Sequence, residues 1–189
     1  IKNDYTFYKR YIELKENIAQ QNTYKTNAQE YIPWTIQQIK DILQSNNFLN
    51  NDTLQEKGIL ARYLKEIDAL SFADILIESN YLSNLNSKSI VGFLSIFCNI
   101  KVEDEYKTIF VDNSNIELKY IIQYIDSQLH YYQHEEYKKN IYHNKQEIQY
   151  DIMNEIMDWY EAKNETECRL IIDNLKLNKH IFLGDFVKA

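Results

Sequence analysis

The chain has 189 residues, a formal net charge of −7 and 44% hydrophobic residues, enough for one packed domain. Its three glycines stand apart at Gly58, Gly92 and Gly184, which excludes a Walker-type phosphate loop and a dinucleotide fingerprint within these residues. No apolar run approaches the roughly 20 residues that span a bilayer, and the acidic balance opposes nonspecific binding of nucleic acid over the whole surface.

One proline and three glycines are too few for the turns of a sheet-rich fold. The expectation is therefore an all-α, multi-helix bundle, with a small winged-helix-like segment at its start. Cys98 and Cys168 both lie in helix-patterned sequence and read as reduced, packed thiols, which suggests an intracellular, reducing compartment. The absence of an initiator Met suggests a piece of a longer protein.

In chain order, Phe7, Tyr11, Leu14 and Ile18 step by four, three and four along one face of a first helix. The polar stretch Asn22 to Asn27 breaks that pattern, Pro33-Trp34 marks a turn, and Thr35 is the expected N-cap of a second helix carrying Ile36, Ile39, Ile42 and Leu43. A loop follows from Asn46, with a short extended or wing-like piece at Thr53 to Glu56. Asp68 caps a helix with Leu70, Ala73 and Ile77 on one face. Asn86 or Ser87 caps the next, whose Ile90, Phe93, Leu94 and Phe97 place it at the centre of the bundle. Lys101 to Asn113 is a charged connector. A long helix from Ile116 carries Leu118, Ile122, Ile125, Leu129 and Tyr132 on one stripe. Another carries Ile148, Ile152, Ile156 and Trp159; an amphipathic helix spans Asn164 to Leu177; and Gly184 precedes one more.

Few groups suggest chemistry. His130 and His134 stand four apart, a spacing that can present two imidazoles to zinc, but Tyr131 occupies the place of the zincin glutamate. Two solvated histidines on a helix face explain the spacing as well. Cys98 or Cys168 with His143 or His180 would make a nucleophilic pair, yet Cys98 follows Phe97 in apolar sequence, the wrong setting for a thiolate. The run Glu103-Asp104-Glu105 reads as a solvated connector. No catalytic residue and no metal site is expected. The segment from Leu175 differs: Lys176, Lys179, His180 and Lys188 face only one acid, Asp185, and such a cation cluster at a helix entrance can meet phosphate.

The order of these features resembles a family. Lys57-Gly58-Ile59-Leu60-Ala61, then Leu70 to Ile77, then Leu85-Asn86-Ser87 leading to Phe93-Leu94-Ser95-Ile96-Phe97, is similar to the DSHCT domain. That is the C-terminal helical domain of Ski-like, exosome-assisting DExH-box RNA helicases. Met157-Asp158-Trp159 resembles the family's tryptophan helix, and Gly184-Asp185-Phe186-Val187-Lys188 its entrance to the last, ratchet helix. Ile59 stands where the family has Arg, Leu183 where it has Glu, and Lys188 where it has Arg.

The resemblance implies two parts. Residues 1–50 would be a helical connector returning from the family's inserted arch or the preceding domain; residues 51–189 would be the bundle, cut at the start of the ratchet helix. It implies a non-catalytic body that guides single-stranded RNA leaving two RecA-like domains of the same helicase. ATP and Mg would be bound there and not in this chain, and the assembly would serve an RNA-decay or RNA-processing complex, with no membrane partner. Lys188, Lys179 and Lys176 would contact RNA, Gly184 and Asp185 would shape the helix entrance with Asp185 as N-cap, and Trp159, Phe93, Leu94 and Phe97 would lie in the core. The alternative is a helical interaction or structural module with no nucleic-acid role, docking through the Leu118 to Tyr132 helix. A further alternative is a small hydrolase built on His130, His134 and nearby carboxylates.

Overall fold

A computed structural model describes residues 2–65, 67–100, 102–109, 115–141 and 147–188, with side chains from residue 5 onward. The fold is all-α. Eight helices lie among the described residues: α1 (Lys2–Ser45), α2 (Glu56–Ala61), α3 (Ala69–Glu78), α4 (Ser87–Ser95), α5 (Ile116–Lys138), α6 (Met153–Glu161), α7 (Glu165–Lys179) and α8 (Leu183–Lys188). Part of the expected charged connector, residues 101 and 110–113, lies outside the described residues, as do His143 and Ala189.

The first correction concerns α1. It is one helix of 44 residues, running through both the polar stretch and Pro33. At 1.5 Å per residue it is about 66 Å long. From Tyr5 to Trp34 every residue except Ile12 is exposed, so polar residues at 22–27 sit comfortably on its surface and need no break. Thr35 does not cap a new helix. Its hydroxyl donates to the Tyr31 carbonyl at 2.8 Å, as Thr23 and Thr26 do to the carbonyls four residues back. Pro33 removes one amide donor, and solvent can satisfy the carbonyl it leaves.

Only the C-terminal end of α1 enters the body. Ile42 packs with Phe48, Ala61, Ala73 and Tyr132, while Lys139 reaches Gln38 and Asp41 at 3.2 and 3.3 Å. Lys40 pairs with Asp52 at 2.8 Å. A minimal hairpin follows: β1 (Leu49–Asn50) and β2 (Thr53–Leu54) pair antiparallel, with Asn51 at φ 51° in the two-residue turn between them. The wing-like piece expected at Thr53 to Glu56 is this second strand and the start of α2. Gly58 is required here, because a Cβ at that position would run into the Phe48 carbonyl oxygen.

The main core joins α3, α4, α5 and α6. Asp68 caps α3 by accepting from Ser71 N–H at 2.8 Å, and Asn86 caps α4 through Ser89 N–H at 2.9 Å. Phe72, Phe93 and Phe97 form a ring cluster with centroids 5.5–5.7 Å apart. The whole expected stripe of α5, from Leu118 to Tyr132, is buried. Gly92 lets α4 close on α6, since a Cβ there would stand 2.6 Å from the Met157 sulfur.

Two core expectations fail. Leu94 is 46% exposed, because α4 packs through Gly92 and Phe93 and leaves the following side chain facing out; the rest of α4 is largely covered, with Phe93 fully buried in the main core. Trp159 is 37% exposed, covered on one side only. Ile148 is not helical. It belongs to an irregular stretch in which Gln149 N–H donates to the Ile96 carbonyl at 2.8 Å, and α6 begins at Met153.

Candidate functional site

The C-terminal region is assembled around Ile100, Ile152, Leu175, Ile181 and Phe186. Asn164 and Glu167 form a reciprocal cap at the start of α7: Asn164 Oδ1 accepts from Glu167 N–H at 3.0 Å, and Glu167 Oε2 accepts from Lys163 N–H at 2.8 Å. At its other end His180 takes a left-handed conformation, φ 55°, and the Ile181 N–H reaches back to the Leu175 carbonyl at 3.2 Å. The chain therefore turns off α7 and brings α8 back, so that Phe186 lies 5.3 Å from the Trp159 ring. This contact is what covers one side of Trp159.

Of the expected cations, Lys176 and Lys188 are exposed. Lys179 is not available in the same way. Its ammonium pairs with Glu155 at 2.7 Å and donates to the Asp151 carbonyl, and its side chain is only 17% exposed. The buried Asp151 carboxylate in turn accepts from Thr108 N–H at 2.6 Å. Lys179 thus ties α7 to the start of α6. The His180 ring packs against Tyr106 at a tilt of 50°, with centroids 4.5 Å apart. The Tyr106 hydroxyl is held above its ordinary pKa chiefly by the charge of Glu105. An acidic group therefore stands beside the cation cluster.

The helix entrance also differs from expectation. α8 starts at Leu183, and Asp185 N–H already donates to the Phe182 carbonyl at 2.9 Å, so Asp185 lies in the first turn and is not the N-cap. A carboxylate there still complements the helix dipole. Gly184 is exposed, and a Cβ on it would meet nothing within 4 Å. Neither of two open clefts, one beside Gln44 and Gln55 and one beside Asp126 and His130, includes it.

The remaining constellations hold little chemistry. His130 is exposed, its Nδ1 2.8 Å from the Asp126 carbonyl oxygen, and His134 is exposed too. Among the described residues no three His, Cys, Asp or Glu side chains are grouped so as to hold a metal ion. Burial pushes the Cys98 thiol above its ordinary pKa, which keeps it protonated and a poor nucleophile. Asp104 pairs with Lys107 at 2.7 Å, and that bond holds its pKa below the usual carboxylate range.

Sequence reasoning missed a buried polar triad. Asp74 lies within the α3–α5 contact, paired with the Lys57 ammonium of α2 and accepting a hydrogen bond from the Tyr132 hydroxyl of α5. Burial first, then the bond to Asp74, drives the Tyr132 pKa far upward, so the phenol stays a donor. Lys57 also stands 5.6 Å from the Phe48 ring centroid. A lone acid in the apolar run Leu70 to Ile77 was the available signal, because a buried carboxylate must find partners. The triad fastens three helices together. Comparison with family models and with curated proteins finds no match for the chain.

Proposed function

We propose that this chain is the non-catalytic C-terminal helical domain of an ATP-dependent Ski-like RNA helicase, guiding single-stranded RNA that leaves motor domains outside it. The observation that carries the reading is the order of elements. A long projecting helix delivers the chain into a bundle, as a connector returning from an arch would. The stretches similar to the family then fall in sequence on α2, α3, α4, α6 and α8, with Trp159 of α6 against Phe186 of α8. In this reading ATP and Mg belong to the RecA-like domains, and Lys188 and Lys176 are the cations free to meet phosphate.

The test is anisotropy of a labelled oligouridylate titrated with the whole chain across a salt series. Binding is expected to be weak at low salt and to fall as salt rises, because backbone contact is dominated by counterion release. Lys188→Ala should lower the slope of log affinity against log salt by about one. Lys179→Ala should instead lower the melting temperature. Tight binding insensitive to salt, or none at low salt, overturns the reading.

A second reading, an interaction module with no nucleic-acid role, is favoured by one observation. The face expected to dock a partner, on α5, is covered by the body, whereas the apolar face of α1 is exposed. Loss of RNA binding together with retained helix docking by α1 would select it.

A further inference from the structure

The 3-4 stepping of Phe7, Tyr11, Leu14 and Ile18 does not stop at the polar stretch. In the same register it passes Gln21, Lys25 and Ala28, then resumes at Ile32, Thr35, Ile39 and Ile42. At Ile42 this face enters the body and is 3% exposed, whereas Phe7, Leu14, Ile18 and Ile32 are more than half exposed. One continuous seam is therefore covered at its lower end and bare along the projection.

Charge separates across the helix in the same register. Within and beside the seam, between Phe7 and Ile39, the charged residues are Arg10, Lys15 and Lys25, all basic; Glu13, Glu16 and Glu30 lie on the opposite side, with Lys9 the one cation among them. In a chain of net charge −7 this stretch of seam and flank carries cations and no acid. Two copies of α1 packed seam to seam would bring both sets of cations to one interface without an acid among them, which opposes self-association. Nucleic acid would meet the cations but leave Leu14, Ile18 and Ile32 in water. Covering the exposed seam and its flanking tyrosines would bury on the order of 1,500 Å², in the range of a stable interface.

We infer that the seam from Phe7 to Ile39 is the seat of one amphipathic partner helix, apolar at its own seam and acidic at its flanks. The inference goes beyond the RNA-guiding role and does not depend on it. Lys25 would face an acid or amide at the middle of the pairing, fixing its register as single polar core positions do. Arg10 and Lys15 would select against basic helices.

The probe is a synthetic helix with Ile and Leu at the seam positions and Glu at every flanking position, whose self-repulsion keeps it monomeric. Titrated calorimetrically into the whole chain, it should bind with an affinity that falls as salt rises. The same peptide with Lys at the flanks should bind roughly tenfold more weakly or not at all. Leu14→Glu with Ile18→Glu should remove binding and leave the melting of the body unchanged. Replacing Arg10, Lys15 and Lys25 by Glu should invert the preference between the two peptides. Equal binding of both peptides, or binding of neither, overturns the inference. So does a light-scattering mass of a dimer that Leu14→Glu reduces to a monomer, because the face would then belong to a second copy.

Discussion

Two helices of this chain carry the same kind of stripe and meet opposite fates. The α5 stripe from Leu118 to Tyr132 vanishes into the core against α3, α4 and the hairpin end of the body. The α1 stripe, interrupted at Gln21, Lys25 and Ala28, stands in solvent from Phe7 to Ile32. Periodicity reports that a face requires cover, and says nothing about which element supplies it. What separates the two is the reach of the rest of the chain. α3 and α4 are short and fold directly onto α5, while α1 extends about 66 Å and the body meets only its last turns.

The sharpest way to break this comparison is to truncate an aromatic in each region. Phe93→Ala should lower the unfolding free energy by about 3–5 kcal/mol, because it removes a fully buried ring from the three-ring cluster. Phe7→Ala should change it by less than about 0.5 kcal/mol. Urea titrations followed by circular dichroism measure both, and similar losses would mean that α1 is packed in solution. Next in size, Tyr132→Phe withdraws a donor from buried Asp74 and should cost about 1–3 kcal/mol, whereas Tyr11→Phe on α1 should be silent. The smallest effect has the opposite sign. Gly184→Ala should stabilise the protein by about 0.4–1 kcal/mol, since the site is open and the substitution removes freedom from the unfolded chain. A clear loss there in thermal melts would show that the α8 entrance is crowded in solution and not open.

The legible parts of the fold are those governed by neighbours in sequence. Asp68 and Asn86 could be placed as caps because each bonds an amide three residues on, and the spacing of α5 alone gave every residue of its buried face but Ile121. α1 was misread for the same reason. Pro33 and Thr35 are strong local signals for a stop, and only the solvent around them, a tertiary fact, lets the helix continue. Lys179 shows the limit for the candidate site. A cation near a helix end is visible in sequence; Glu155 and the Asp151 carbonyl, brought to it by the fold, are not. Leu94 and Trp159 were apolar and periodic, but each sits where one side has no layer above it. The Asp74 triad joins α2, α3 and α5 across long stretches of chain, so its acid could be flagged while its partners could not be named.

Pro33 has a mechanical consequence. It stands less than three turns from Ile42, the residue that roots α1 in the body, and it deprives the turn beginning at Gln29 of one backbone rung. Tension or torque applied to the far end of the helix meets that weakened turn before it reaches the root. The projection is thus joined to its base by a built-in joint, and strain there is relieved without prising open the pocket that holds Ile42 and Phe48.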